Sequence, residues 1–280
     1  MTHKRLVRGI IFTLILLCIV FVAECTAADQ DPSIVTVTGS TTVLPIAALA
    51  AERFTDLHPE IDVQVNGGGS GVGVQAAGEG TAMIGMSSRD VKTEEKEKFP
   101  NLVEHAIAMD GIAIITHTSN PISSLTLDQI REIYEGKITN WSEVGGKSGE
   151  IVLVGRDSAS GTREFFYTEV MKTADFAPKQ LEKGSNGALK QTIEQTPNAI
   201  GYVSLGYLDD TIHTVPLNID GALVIPTVET IKSGEYPVSR PLYLLTNGEP
   251  TGPIADFISF IAKTPEGREI IYEEGFLPFD

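Results

Sequence analysis

Apolar and polar positions alternate along the chain in a way that predicts strands and helices in turn. Residues 34–37 and 61–65 carry apolar side chains at alternate positions, as half-buried strands do. Between them, residues 44–57 place their apolar side chains on one helical stripe, which Pro59 ends. A second helical stretch opens at Ser70 and precedes a short buried strand at 82–86. The order strand, helix, strand, helix, strand predicts an α/β fold with a largely parallel sheet.

The same alternation continues to the C-terminus without a repeat or a flexible linker. Because this is more α/β material than one small sheet holds, we expect two α/β lobes with mixed, largely parallel sheets and a ligand cleft between them. We place the crossovers near Ala113 and Ser239. Lobe 1 then comprises residues 33–113 plus 240–280, and lobe 2 comprises residues 114–239. Further strands are predicted at 111–117, 151–154, 199–203 and 242–245, and further helices at 93–98, 126–135, 161–171 and 254–262.

Residues 1–28 have the pattern of a signal peptide. Three basic residues within the first eight positions precede an uncharged apolar run at 9–23, which is short for a membrane span. We expect cleavage near Ala27 or Ala28 and a location outside the cytoplasm, in the periplasm or at the cell surface. An uncleaved N-terminal anchor is one alternative. Lipid attachment at Cys25 is another, although Glu24 before it fits a lipidation signal poorly.

Charge and cysteine content narrow the classes of function. The formal net charge is −16, and without residues 1–28 the chain has 18 basic against 36 acidic residues. This acidity argues against nucleic acid or anionic lipid as the main partner. Both cysteines, Cys18 and Cys25, lie in the predicted signal peptide. The rest of the chain therefore has no disulfide, no cysteine nucleophile and no cysteine metal ligand.

Three predicted strand-to-helix junctions are rich in serine, threonine and glycine. They are residues 39–42, 67–71 and 156–162. Free backbone N–H groups at a helix start attract anions, glycine lets an anion approach closely, and hydroxyls add donors. Each junction alone is equally well explained as an ordinary helix cap. Three junctions together, one of them carrying Arg156, favour a site for a tetrahedral oxyanion.

Motifs of enzymes are weak by comparison. Residues 71–76 match the dinucleotide pattern G-x-G-x-x-A, and residues 146–148 resemble the end of a P-loop without its first glycine. The histidines show no metal-ligand spacing, and no nucleophile lies beside a base in a known frame. We therefore expect a binding protein rather than an enzyme, with no cofactor and no metal.

Seven segments carry a resemblance to a known family. In their order and spacing they resemble the phosphate-binding proteins of high-affinity phosphate ABC importers, which have the type 2 periplasmic binding protein fold. The resemblance implies two lobes that close on a dehydrated phosphate and a monomer that delivers it to permease subunits in the membrane. The segments are residues 37–45, 66–73, 84–89, 110–113, 136–141, 156–163 and 199–204.

The resemblance also implies which residues bind phosphate. The first junction supplies hydroxyl and backbone donors, and its individual contributors stay open. The arginine and the Ser-Gly-Thr turn belong to the third junction. The implied phosphate-binding residues are Ser40, Thr41, Thr42, Ser70, Gly71, Ser88, Arg156, Ser160, Gly161 and Thr162.

Two positions depart from the best-known members. Ser88 stands where those members have an aspartate that accepts the proton of phosphate and repels sulfate. Asp110 and Asp90 are candidates for that role, and we favour Asp110 because it opens a strand expected to enter the cleft. Ser158 stands in place of an aspartate beside the arginine, so we expect Asp157 to pair with Arg156.

The ligand and the physiological role have open alternatives. Sulfate or molybdate would suit the same fold, since a serine does not repel sulfate as a carboxylate does. A secreted hydrolase is the alternative from another class. A surface-located phosphate sensor or adhesin is a further alternative that the sequence does not separate from a transport protein.

Overall fold

A computed structural model describes residues 33–279. The predicted signal peptide, its cleavage site and the alternatives of an anchor or a lipidated Cys25 lie outside the described residues. Within them, nine helices and twelve strands follow one another as β1 (Ser33–Gly39), α1 (Leu44–Leu57), β2 (Ile61–Gly67), α2 (Ser70–Glu79), β3 (Ile84–Ser87), α3 (Thr93–Lys98), β4 (Leu102–His117), α4 (Leu127–Tyr134), β5 (Val152–Arg156), α5 (Gly161–Glu169), β6 (Leu181–Lys183), α6 (Asn186–Glu194), β7 (Ala199–Ser204), β8 (Ile212–Thr214), β9 (Leu217–Ile219), β10 (Ala222–Val224), α7 (Val228–Lys232), β11 (Ser239–Asn247), α8 (Gly252–Lys263), α9 (Pro265–Glu273) and β12 (Leu277–Pro278).

The main sheet is mixed, which confirms the predicted α/β class. Its strand order is β2-β1-β3-β11-β4-β7-β5-β6, and β8 and β12 also pair with β4. Strand β1 pairs in parallel with β2 and β3, and β5 pairs in parallel with β6 and β7. Strands β4 and β11 run antiparallel to their neighbours in the middle of the sheet. The parallel pairs therefore lie at the two ends of the sheet.

Strand β4 changes partner halfway along its length. Residues 102–111 of β4 pair with β11, and residues 112–116 pair with β7. This pairing also explains why β4 begins at Leu102, well before the predicted start at residue 111. The first half of β4 was not predicted because Glu104 and His105 are polar and interrupt the apolar pattern. Both residues nevertheless pair with β11 in the antiparallel register.

Two apolar clusters form most of the core. One packs α1, α8 and α9 against β1, β3 and β11, with Phe54 at 5.4 Å from Phe257 between ring centroids. The other surrounds Tyr134, Phe166 and Tyr202, and the last two rings stack at 4.1 Å. The first cluster draws on residues 35–108 and 242–276, and the second on residues 112–238. The predicted lobe boundaries agree with this division but stay a prediction.

Residues 33–279 contain neither a candidate membrane-spanning helix nor a candidate metal cluster. No helix there has the length and apolar character needed to cross a membrane. No group of three or more histidine, cysteine, aspartate or glutamate side chains in this part of the chain is placed to hold a metal ion.

Candidate functional site

The three serine- and glycine-rich junctions meet in the structure. Strand β1 delivers the first junction, and helices α2 and α5 begin in the second and third. The backbone N–H of Gly71 donates to the carbonyl of Ala159 at 3.0 Å, which joins the second junction to the third. The hydroxyls of Thr42 and Thr162 lie 3.2 Å apart, which joins the first to the third. The fold therefore brings the three junctions together in one place.

The hydroxyl side chains expected to bind the anion are buried, whereas Ser158 in the third junction is exposed. Ser40 accepts a hydrogen bond from the N–H of Thr42 at 3.2 Å, and Ser160 accepts one from the N–H of Arg163 at 3.2 Å. These two serines thus act as local caps of the turns they begin. All seven hydroxyl side chains are at most 7% exposed: Ser40, Thr41, Thr42, Ser70, Ser88, Ser160 and Thr162.

Ser88 pairs with Ser70 at the edge of the site. It directly follows β3, and its N–H donates to Oγ of Ser70 at 3.0 Å. The two serine Oγ atoms lie 3.2 Å apart. Position 88, where the resemblance leads us to expect a carboxylate, therefore carries a neutral hydroxyl that is paired with the hydroxyl of Ser70.

Arg156 is a buried cation that contacts only neutral acceptors. The residue is 1% exposed. It donates to the carbonyls of Lys183 and Gly184 at 3.1 and 3.2 Å, to Oδ1 of Asn186 at 3.1 Å and to Oγ1 of Thr41 at 3.2 Å. Among residues 33–279, no carboxylate lies within ion-pair distance of this guanidinium. Burial lowers the pKa of Arg156, but an arginine keeps its proton at neutral pH.

The expected pairing of Asp157 with Arg156 is absent. Oδ1 of Asp157 instead accepts a hydrogen bond from the N–H of Ala159 at 3.2 Å, which stabilises the turn before α5. The negative charge of Asp157 still favours the charged form of Arg156 from a distance. The aspartate is therefore a turn residue with a long-range electrostatic effect on the arginine.

Asp110 lies beside the same cluster in an ion pair with Arg240. Both side chains are at most 1% exposed. Nε and Nη2 of Arg240 donate to Oδ2 of Asp110 at 3.1 and 2.9 Å. Oδ1 of Asp110 accepts hydrogen bonds from the hydroxyl of Ser204 at 2.7 Å and from the N–H of Leu205 at 3.1 Å.

Four donors therefore surround the Asp110 carboxylate. Burial raises the pKa of Asp110, and Arg240 together with the other donors opposes that effect. Because all four contacts are donors, the arrangement stabilises the ionised form. The role of proton acceptor for phosphate stays a prediction, but these contacts favour a role in holding Arg240.

Three residues of the cluster were not predicted from the sequence: Arg240, Asn186 and Tyr207. Arg240 also donates to Thr162 at 2.8 Å, and its Nη1 is buried without a partner among the described residues. Asn186 donates to Thr42 at 3.0 Å, and the hydroxyl of Tyr207 donates to the carbonyl of Thr41 at 2.5 Å. Only Asn186 had a local signal, because it follows Ser185, which caps α6.

Comparisons with known proteins show the family of the chain. A model of the PBP superfamily domain matches residues 26–265. The phosphate-binding protein PstS of Bacillus subtilis is 37% identical over 245 residues, covering 87% of this chain and 80% of the relative. PstS of Borreliella burgdorferi is 30% identical over 278 residues, covering 96% of this chain and 98% of the relative.

Solved structures give the same result. A phosphate ABC transporter substrate-binding protein from Clostridium perfringens, with bound phosphate, is 39% identical with a TM-score of 0.83 and covers 89% of this chain and 100% of its own. An ABC-type phosphate transport receptor from Vibrio cholerae is 32% identical with a TM-score of 0.71, over 87% of this chain and 99% of its own. The chain belongs to the PBP superfamily and, within it, to the family of PstS phosphate-binding proteins.

Proposed function

We propose that this protein captures inorganic phosphate outside the cytoplasm and delivers it to an ABC importer. The observation that carries the proposal is the buried guanidinium of Arg156, which contacts four neutral acceptors and no carboxylate within the described chain. Burying a charge without a counter-charge costs several kcal/mol. A tetrahedral oxyanion bound beside Thr41 supplies that counter-charge, and its oxygens suit the planar fork of an arginine.

The ligand-binding residues we propose are the ones that converge at the three junctions. Hydroxyls and helix-start N–H groups donate to the phosphate oxygens, and Arg156 neutralises its charge. The proposed set is Ser40, Thr41, Thr42, Ser70, Gly71, Ser88, Arg156, Ser160, Gly161 and Thr162. Together they form a site of donors that requires neither a cofactor nor a metal.

The acidity of the chain is compatible with an anionic ligand. Its formal net charge is −16, but charges farther away than about 8–10 Å are largely screened in physiological salt. Short hydrogen bonds from buried donors act inside that distance. Affinity is therefore set by the junctions rather than by the surface.

We further propose that two lobes close on the ligand. Lobe 1 comprises residues 33–113 plus 240–280 and lobe 2 residues 114–239, and the junctions at Thr42 and Thr162 come from different lobes. Closure is a hinge motion at β4 and β11, the strands that pass between the two core clusters. A monomer that closes in this way presents its bound phosphate to permease subunits in the membrane.

Another tetrahedral oxyanion is the second candidate ligand, and Ser88 is the observation that favours it. The hydroxyl pair of Ser70 and Ser88 carries no negative charge, so this side of the site does not repel a fully ionised anion such as sulfate. Phosphate remains the proposed ligand because the curated relatives are named phosphate-binding proteins.

Calorimetric titration tests the proposal. The purified protein is freed of ligand by partial unfolding and dialysis, refolded, and titrated with phosphate, sulfate and molybdate at two pH values. Tight binding of one phosphate per chain with weaker sulfate binding supports the proposal. Equally tight sulfate binding identifies a general oxyanion receptor. Absence of binding by folded protein contradicts the function and leaves the junctions as helix caps.

A further inference from the structure

Arg240 is a second buried arginine that contacts threonine hydroxyls of the site. Its Nη2 donates to Oγ1 of Thr162 at 2.8 Å and, at a longer 3.4 Å, to Oγ1 of Thr42. The same guanidinium is held by two bonds to Asp110. Because these two bonds fix the planar guanidinium of Arg240, its remaining N–H groups point in a fixed direction.

Asn186 supplies a second fixed set of donors. Its Oδ1 accepts from Arg156 at 3.1 Å, which determines which end of the amide faces the arginine. The amide nitrogen therefore faces the threonines and donates to Thr42 at 3.0 Å and to Thr41 at 3.4 Å.

Counting lone pairs shows what these donors do to the hydroxyls. A hydroxyl oxygen has two lone pairs and one hydrogen. Both lone pairs of the Thr42 hydroxyl oxygen accept hydrogen bonds, one from Asn186 and one from Arg240. The hydroxyl hydrogen of Thr42 is then the only atom of the group still able to bond, and it points to Oγ1 of Thr162 at 3.2 Å. Thr162 in turn accepts from Thr42 and Arg240, which leaves its own hydrogen free.

Thr41 follows the same rule. Its Oγ1 accepts from Arg156 at 3.2 Å and from Asn186 at 3.4 Å. Its hydroxyl hydrogen is therefore also left without a competing acceptor among these neighbours. The surrounding amide and guanidinium groups turn each of these threonines into a donor.

On the basis of the phosphate site proposed above, we propose that Arg240 and Asn186 are positioning residues that orient the hydroxyls of Thr41 and Thr162 as donors to the bound anion. Thr42 contributes by donating to Thr162, which leaves the hydrogen of Thr162 for the anion, and Asp110 holds Arg240 in place. Neither residue needs to touch the ligand for this effect. Their contribution passes through the threonines, and Asp110 acts as the counter-ion of Arg240 rather than as the acceptor of the ligand's proton.

A double-mutant cycle tests the part played by Arg240. Removing Arg240 alone leaves the charge of Asp110 buried and unpaired, which threatens folding. The paired replacement D110N with R240M avoids this and keeps an acceptor for Ser204. It is combined with T162V, which removes the hydroxyl at nearly constant volume, and phosphate affinity is measured by calorimetry on all four proteins.

The expected result is strong coupling. We expect T162V to weaken phosphate binding about 10-fold or more, and T162S to restore most of the loss. The paired replacement should weaken binding about 10-fold when Thr162 is present and less than about 2-fold when it is combined with T162V. Replacement of the solvent-accessible ion pair Arg53 and Glu273 by R53M with E273Q is the control and should leave affinity unchanged.

Other outcomes overturn the inference. If the paired replacement lowers affinity by the same factor with and without Thr162, Arg240 does not act through that hydroxyl. If it leaves affinity unchanged in both, Arg240 does not contribute to the site. Failure of the wild-type protein to bind phosphate contradicts the proposed function itself, whereas binding without coupling contradicts only the positioning role.

Discussion

Gly161 packs against Ser70 so closely that a Cβ atom at position 161 would lie 2.2 Å from the serine Oγ. Gly161 begins α5 and Ser70 begins α2, so the contact brings the starts of two helices together. The same added atom would lie 2.9 Å from Oγ of Ser88. Even one methyl group at this position therefore forces the second and third junctions apart.

Replacing Gly161 by alanine is expected to weaken phosphate binding by about 10-fold or more. An added methyl group in a close-packed contact costs about 1–3 kcal/mol. In the proposed open form the junctions are separated, and alanine is there a better helix former than glycine. The unfolding midpoint without phosphate should therefore not fall. Calorimetric titration and thermal unfolding measure the two quantities.

Gly187 provides the matched control for this substitution. It lies near the start of α6, and an added Cβ would meet nothing within 4 Å. Gly187→Ala should keep the wild-type affinity. An unchanged affinity in Gly161→Ala would show that this contact is not part of the ligand-bound state.

Ser88→Asp is expected to increase discrimination against sulfate. A carboxylate at this position accepts the proton of phosphate but repels a fully ionised sulfate. We expect the ratio of phosphate affinity to sulfate affinity to rise about 10-fold or more. Ser88→Ala removes the hydroxyl without adding charge and should change both affinities by similar factors. An unchanged ratio in Ser88→Asp would mean that position 88 does not face the ligand.

The hydrogen bond from Tyr207 to the carbonyl of Thr41 joins the two proposed lobes at 2.5 Å. Burial raises the pKa of Tyr207 to about 12, so its hydroxyl stays protonated across the physiological range. We expect Tyr207→Phe to weaken phosphate binding about 5- to 10-fold, by the same factor at pH 6.5 and pH 9. Calorimetric titration at the two pH values measures this.

Tyr167→Phe is the control for the loss of a tyrosine hydroxyl. Tyr167 donates to the carbonyl of Thr173 at 2.9 Å, a local bond within one lobe. Its removal should leave the affinity unchanged. An equal loss in both variants would argue against a special role of Tyr207 in closure.

The ion pair of Arg89 and Glu95 is expected to make stability depend on pH. Burial acts to raise the pKa of Glu95, but hydrogen bonds from Arg89 and from the N–H of Lys92 outweigh burial and lower it from its ordinary value of 4.5. A lowered pKa in the folded state adds stability above the unfolded pKa, and this stability is lost as the pH falls through the folded value.

Urea unfolding of wild type and Glu95→Gln measures this effect. We expect the substitution to lower the free energy of unfolding by about 1–2 kcal/mol at pH 7 and by less at pH 3. Glu94→Gln, at an exposed neighbouring position, should have little effect at either pH. A constant difference between wild type and Glu95→Gln from pH 7 to pH 3 would contradict the assignment.

Much of the fold and half of the site could be predicted from local patterns. The stripe of α1 and the strand-to-helix junctions are short-range signals, and they led to the hydroxyls and to Arg156. Arg240 and Asn186 could not be found in this way, because they lie 198 and 144 residues from their common partner Thr42. Only the sheet order, which places β11 between β3 and β4, brings Arg240 to the site.

The elements and contacts that were missed have separate physical reasons. Strands β6, β8, β9 and β10 have three residues each, too few for an alternating pattern to appear. Helix α9 begins at Pro265, directly after α8, and the prediction ended the last helix at residue 262 and did not include α9. The expected pairing of Asp157 with Arg156 was wrong because a nearby N–H in the turn engages the carboxylate first.

The most direct test of the account is phosphate titration of Arg156→Met beside the wild-type protein. Methionine fills similar space without charge, and removing an unneutralised buried cation should not lower the unfolding midpoint of the ligand-free protein. We expect one tightly bound phosphate per wild-type chain and binding at least about 100-fold weaker in Arg156→Met. Affinity within about 3-fold of wild type in a folded Arg156→Met protein would contradict it.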